Sequence, residues 1–225
     1  MKGIRGSEYD FVYDKERIHI TCHIAGEFSL SNSLTAIAAA KELGYGKEII
    51  EKAMESLFSV AGRMEQVAIP DEHLTVIVDY AHTPDALENV LDSILGCRKE
   101  GQRLVCIFGC GGDRDHSKRP LMGRIASQGA DYVILTADNS RSERTADILS
   151  DILRGIEDSC SHTVIENRRE AITYAITSAK ENDVILLCGK GHEEYEIMPD
   201  GIHPFSERAI VLEAVEKRLK SKGLY

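Results

Sequence analysis

From residue 74 onward, short apolar runs alternate with amphipathic stretches. The runs at 74–79, 103–108, 132–136, 163–166 and 184–188 are nearly unbroken in branched aliphatic residues. Such runs predict strands buried on both faces. Between and after them, apolar positions recur every three or four residues. This predicts helices over 84–95, 120–128, 145–155, 169–180 and 206–219. Regular alternation of this kind implies an α/β fold: a Rossmann-like, mostly parallel sheet flanked by helices. Sheets of that type hold ligands beyond the carboxyl ends of their strands.

The preceding stretch reads differently. Alternating patterns predict strands over 9–13 and 17–23. A helix is expected over 31–43, apolar at Leu34, Ile37, Ala38 and Leu43, with Gly44 as its stop. A second, over 47–57, places Ile49, Ile50, Ala53, Met54 and Leu57 on one face. So few elements make a thin core. Residues 1–67 therefore read as a small α+β remnant of a larger domain, and residues 68–225 as a nearly complete second domain.

Composition narrows the function. Charged residues are 28% of the chain and the net charge is −10, which disfavours nonspecific nucleic-acid binding. No apolar run approaches the roughly 20 residues that span a bilayer. Residues 1–10 carry no hydrophobic signal core, so a cytoplasmic location is expected. The six cysteines form no CxxC pair and read as reduced thiols.

Polar motifs cluster at the predicted strand ends. After 74–79 comes Asp79-Tyr80-Ala81-His82-Thr83-Pro84-Asp85. Asp79 can face a ligand hydroxyl there, or Asp79 and His82 only build the turn. Thr83 or Asp85 is a candidate helix cap. After 103–108 comes Gly109-Cys110-Gly111-Gly112-Asp113-Arg114-Asp115-His116, then Lys118 and Arg119. Arg114 occupies the third glycine position of the dinucleotide fingerprint, and no Walker A sequence follows. Arg114, Lys118 and Arg119 suit a carboxylate or phosphate, which Arg can bind through two hydrogen bonds. A metal site from Cys110, Asp113, Asp115 and His116 would have a mixed ligand set with no familiar spacing. After 132–136 comes Asp138-Asn139-Ser140-Arg141-Ser142-Glu143, and after 184–188 comes Gly189-Lys190-Gly191-His192-Glu193. Glycines flanking Lys190 suggest backbone open to a ligand, or a helix start. Arg114, Asn139, Arg141 and Glu193 together offer guanidiniums for carboxylates and a carboxylate for an ammonium. An amino acid matches that set, and one with two amino-acid heads matches it better.

The chain resembles the Mur ligases, and within them the diaminopimelate-adding branch. The matching segments are Gly62-Arg63-Met64-Glu65, VDYAHTPDAL (78–87), FGCGGDRD (108–115), KRPLMG (118–123), DNSRSE (138–143) and GKGHEEYE (189–196). Residues 26–40 resemble the family's helix near the adenine site. The resemblance implies the C-terminal portion of a three-domain, ATP-dependent ligase: the end of its central ATPase domain, then its amino-acid-binding domain. That enzyme adds meso-diaminopimelate to UDP-MurNAc-L-Ala-D-Glu through an acyl phosphate, with magnesium clamping the phosphates. By motif match, diaminopimelate would contact Arg114, Asn139, Arg141, Gly189 and Glu193. Nucleotide would contact Asn32 near adenine, Arg63 at the phosphates or ribose, and Asp79 at the ribose hydroxyls. Arg141 is diagnostic, because relatives that add diaminopimelate have Asp-Asn-Pro-Arg here and many that add lysine lack the Arg.

This sequence departs from the family pattern in three places. Ser140 replaces the proline, which is expected to loosen the loop. Ser29 stands where relatives often have Asn. No Gly-Lys-Thr/Ser loop occurs in the 225 residues, nor do the family's magnesium ligands, modified lysine or UDP domain. No ATP or magnesium is therefore expected to bind this chain tightly. Rival readings are a lysine-adding ligase fragment and a non-catalytic binding module that docks onto a partner supplying the N-terminal half. A nucleotide-dependent oxidoreductase is disfavoured by the glycine pattern. Phosphoryl transfer relies on positioned charge. The purified 225-residue polypeptide, given ATP, magnesium, UDP-MurNAc-L-Ala-D-Glu and meso-diaminopimelate, is expected to make no tripeptide in a chromatographic assay. A tripeptide peak would refute this.

Overall fold

The computed structural model describes residues 6–223, save Ala25, Phe58, Ser59 and Glu72. The chain forms two compact units, residues 1–60 with 92–100, and residues 61–91 with 101–225.

In the first unit, β1 (Ser7–Tyr13) and β2 (Glu16–Cys22) form an antiparallel hairpin. Its two-residue turn, Asp14-Lys15, takes positive φ at both positions, which suits the twist of the strands. Helices α1 (Glu27–Glu42) and α2 (Lys47–Ser56) follow. Ile18, Ile20, Cys22, Ile37, Ile50 and Met54 form the small core. Of the residues expected to share its apolar face, Leu43 is 77% exposed and Ile49 59% exposed. Periodicity finds an apolar face, but a face is buried only as far as the unit has partners for it.

The second unit is built on a six-stranded sheet in the order β3-β4-β8-β5-β6-β7. Its strands are β3 (Glu65–Gln66), β4 (Thr75–Asp79), β5 (Leu104–Phe108), β6 (Tyr132–Leu135), β7 (His162–Val164) and β8 (Val184–Cys188). All neighbours pair in parallel except β3, a two-residue antiparallel edge beside β4. The helices are α3 (Pro84–Leu95), α4 (Lys118–Gly129), α5 (Thr145–Leu153), α6 (Arg168–Thr177) and α7 (Glu207–Ser221). Strand residues alternate in direction. Val76, Val78, Val105, Ile107, Ile185 and Leu187 join the core formed with α6 and α7. Ile77, Cys106, Phe108, Val133, Leu135 and Leu186 are buried on the opposite face, where α4 packs beside α5 and β6. The unit begins at Ala61 because Glu65 and Gln66 pair with β4 and Val67 joins this core.

A second hairpin, β9 (Tyr195–Met198) with β10 (Gly201–Pro204), was not expected from the sequence. Its four-residue strands show no clean alternation, and Pro204 is a poor strand former. The Asp200-Gly201 pair, with Gly201 at φ 139°, was the signal available. All six cysteines are free thiols. Among the described residues, no helix is long and apolar enough to cross a membrane.

Two buried arginines hold the carboxyl edge of the sheet. Arg168, first in α6, donates from Nη1 to Ala137 O (3.2 Å), from Nη2 to Cys188 O (2.7 Å) and from Nε to Glu207 Oε1 (2.9 Å). It thereby ties the segments leaving β6 and β8, which flank β5. Arg119, in α4, donates from Nη2 to both oxygens of Glu143 and from Nη1 to Asp151 of α5. Glu143 also accepts the Asp113 N–H at 2.6 Å. The Arg119 hydrogen bonds, aided by that N–H, pull the Glu143 carboxyl down to about 2.

Replacing Arg168 with Met leaves Glu207 buried without its cation. This is expected to cost about 3–5 kcal/mol, read as a lower urea midpoint; an unchanged midpoint would contradict the role. Glu143 ionises below its ordinary range in the fold, so its stabilisation is complete above the unfolded value and is lost as pH falls towards about 2. Glu143→Gln should accordingly flatten the acid limb of a stability–pH curve; an identical limb would count against the Arg119 contact.

Candidate functional site

Four loops leave the carboxyl ends of β4, β5, β6 and β8 and surround one cavity of about 310 Å³. The backbones approach very closely. A Cβ on Gly112 would lie 2.0 Å from Ser140 O. A Cβ on Gly189, at φ 115°, would lie 2.8 Å from Asp138 Oδ2. Glycine is needed at both positions for the loops to meet.

Arg114, Asn139, Arg141, Gly189 and Glu193 all line this cavity. Adjacent strand ends bring them together: β8, β5 and β6 are consecutive in the sheet. Lys118, Asp138, Tyr80 and His82 also line it. Lys118 is one of the cations that the sequence offers for an anionic ligand, whereas Arg119, also offered, is buried and paired with Glu143 and Asp151. Strand position alone does not single out Tyr80 or Asp138, because a residue after a strand can face either the cavity or the solvent.

The groups differ in how firmly they are held. Arg141 sits at φ 52°, unusual for a residue with a side chain. Its N–H donates to Ile197 O, and its Nη1 donates to Gly112 O (3.0 Å) and Asn139 O (3.2 Å). Among the described residues, its Nε and Nη2 have no partner and remain available. Arg114 is exposed and held only through Nη1, which donates to the adjacent Asp113 O. Asp113 in turn accepts from the Ser142 hydroxyl and N–H, which lowers its carboxyl below the usual range. Ser140, expected to loosen the loop in place of proline, is fully buried and hydrogen-bonded to the Thr145 hydroxyl at 2.7 Å. A hydroxyl contact thus does the work of a ring.

Asn139 is buried, and three of the four hydrogen-bonding positions of its amide are filled. Oδ1 accepts from Lys190 Nζ and from the Ile197 N–H, both at 2.9 Å, while Nδ2 donates to Glu193 Oε2 at 2.9 Å. Asn139 is therefore an organiser of the wall, with one amide proton left for a ligand. Glu193 keeps Oε1 without a protein partner among the described residues. Gly189 and Gly191 are themselves buried, although Gly189 lines the cavity, and the Lys190 side chain turns inward and is fully buried.

The residues expected at the nucleotide are each held differently. Asp79 accepts the N–H of Met64 (2.7 Å) and of Ala81 (2.8 Å), so the turn-building role is realised. Burial raises its carboxyl despite those bonds. A ribose hydroxyl would have to share oxygens already used. The Arg63 guanidinium lies 5.1 Å from the centroid of the Tyr80 ring, a cation–π distance. Asn32 is exposed on α1 of the other unit. Of the two cap candidates, Thr83 is used, its hydroxyl accepting the Ala86 N–H at 3.3 Å. Cys110 is buried against Met122, its thiol pushed up to about 12 by burial. Among the described residues, no three His, Cys, Asp or Glu side chains converge as metal ligands.

A family profile described as "Mur ligase, glutamate ligase domain" matches residues 62–191. A UDP-N-acetylmuramoyl-L-alanyl-D-glutamate–2,6-diaminopimelate ligase of Clostridium tetani is 44% identical over 216 residues, covering 95% of this chain and 44% of the relative. The ligase of the same name from Gloeobacter violaceus is 43% identical, covering 99% of this chain and 44% of its own length. A solved structure of a ligase with this name superposes with a TM-score of 0.70 at 34% identity, covering 96% of this chain and 44% of that one. The folylpolyglutamate synthase of Thermotoga maritima, at 18% identity and TM-score 0.63, shares the fold. The chain thus spans less than half the length of the relatives it matches. With the profile covering more than half of its residues, this chain belongs to the Mur ligase family.

Proposed function

We propose that this chain is the amino-acid-binding part of an ATP-dependent ligase that adds meso-diaminopimelate to UDP-MurNAc-L-Ala-D-Glu in the cytoplasm. On this reading residues 1–67 belong to the central ATPase domain and 68–225 to the amino-acid-binding domain. The observation that carries the proposal is the convergence of Arg114, Arg141 and Glu193 on one cavity. The spare donors of Arg141 and Arg114 fit a carboxylate, and Arg can bind it through two parallel hydrogen bonds. The free oxygen of Glu193 fits an ammonium. One amino-acid head of diaminopimelate would be held this way, leaving the amine at the other end as nucleophile. The names of the relatives support the same substrate.

In such a reaction ATP converts the D-glutamyl carboxylate to an acyl phosphate. The amine then forms the new C–N bond as the C–O bond to phosphate breaks, releasing inorganic phosphate and a proton. Holding the amine at a fixed angle and distance is the contribution of these residues. No described residue is assigned to magnesium. ATP and the muramyl nucleotide belong to the whole reaction, and Arg63, Asp79 and Asn32 are the nucleotide contacts proposed from motif match.

Two rival readings give different results in one calorimetric series. Titrating the 225-residue protein with meso-diaminopimelate should give binding heat, and L-lysine should bind at least about tenfold more weakly. Arg141→Ala should weaken diaminopimelate binding by about 10- to 100-fold, the cost of losing a charge-assisted hydrogen bond. Equal affinity for lysine and diaminopimelate would favour a lysine-adding enzyme. Binding of neither, with a co-purifying partner chain, would favour a binding module.

A further inference from the structure

Lys190 poses a problem that amino-acid binding does not absorb. Its ammonium is fully buried, and burying a cation is costly without compensation. Burial is also the main reason its ammonium is held below the ordinary lysine range. Its ion pair with Asp138 Oδ1 is long, at 3.8 Å. Its nearer partners are neutral: Asn139 Oδ1 at 2.9 Å, Tyr195 O at 3.0 Å and the face of Phe205, 5.3 Å from the ring centroid. Gly189 and Gly191 both take positive φ, at 115° and 55°. These bends turn Lys190 into the interior while Gly189 and Glu193 stay on the cavity wall.

The consequence lies in the amide. An asparagine side chain can rotate by half a turn and exchange its donor and acceptor ends. Here two donors, Lys190 Nζ and the Ile197 N–H, converge on Oδ1. Flipping the amide would oppose its NH2 to both. Only one orientation is left, and in it Nδ2 points at Glu193 Oε2.

We propose that Lys190 is a positioning residue: together with the Ile197 N–H it fixes which way the Asn139 amide faces, and so holds the Glu193 carboxylate at the cavity wall, where it meets the ammonium of the amino acid. The ligand half of this statement rests on the proposed function. The Lys190–Asn139–Glu193 relay does not, and is tested without ligand.

In the unmodified 225-residue protein, nuclear magnetic resonance should show a cross-relaxation contact between the Asn139 side-chain amide protons and the Glu193 methylene protons, with the amide assigned by its loss in Asn139→Ser. Glu193→Gln should shift that amide pair in the wild-type background and shift it less in the Lys190→Met background, where only the Ile197 N–H still holds Oδ1. Absence of the contact in the wild type would overturn the relay even if Lys190→Met does not fold, and so would an equal Glu193→Gln shift in both backgrounds. With meso-diaminopimelate as probe, Lys190→Met should weaken binding about tenfold. In a Glu193→Gln background the same change should cost less than about twofold, because contacts in one chain are not additive. Equal losses in both backgrounds would show that Lys190 merely supports the fold. If the wild type binds no diaminopimelate but the amide behaves as described, the relay stands and the substrate reading falls.

Discussion

The guanidinium of Arg168 reaches two carbonyls on either side of β5. By holding Ala137 O and Cys188 O, it fixes the segments that leave β6 and β8 around the end of β5. Every cavity group discussed above hangs from one of these strand ends or from β4. The arrangement works because a guanidinium has five donors in one plane, so it can serve two carbonyls and a carboxylate at once. Lysine, a point charge on a flexible stem, could not hold that geometry. Burial makes the contact demanding as well as strong, since each unsatisfied group would be left in a poor dielectric.

Around this anchor the site divides into fixed and free parts. Lys190 and Ser140 spend their hydrogen-bonding capacity inside the protein, and Asn139 all but one amide proton. Arg114, the outer nitrogens of Arg141 and one oxygen of Glu193 do not. A wall of spent groups carrying a few unspent ones is what selective binding of a small charged molecule requires, because a ligand then pays little to organise the site. The Asp113–Ser142 and Glu143–Arg119 contacts extend the fixed part outward to the loop bearing Arg114.

Much of this was legible in the sequence. The central strands were clear because a doubly covered parallel strand must be apolar at every position, and 104–108 and 184–188 are; the run at 163–166, expected to be buried on both faces, instead yields β7, a three-residue edge strand exposed at both ends. The cavity residues were legible for a related reason: polar residues directly after such a run can only sit at the sheet's rim. What escaped was whatever depends on tertiary partners. β3 is two residues long and exists because β4 is beside it. The inward turn of Lys190 depends on the φ values of its neighbours, and glycine permits several. That Asp79 accepts the Met64 N–H depends on a residue fifteen positions earlier in the chain, which strand position alone does not reveal. The exposed Leu43 and Ile49 show the same limit, since periodicity reports an apolar face and says nothing of what covers it.

The hairpin of β9 and β10 grips the Asn139–Arg141 loop with main-chain atoms only, the N–H and the C=O of Ile197. A grip of that kind is indifferent to side-chain identity. Evolution can therefore recolour the hairpin's outer surface, where Ile202 is already 71% exposed, without disturbing the clasp. Proline at 197 is the exception, because it alone lacks the hydrogen that the clasp hands over.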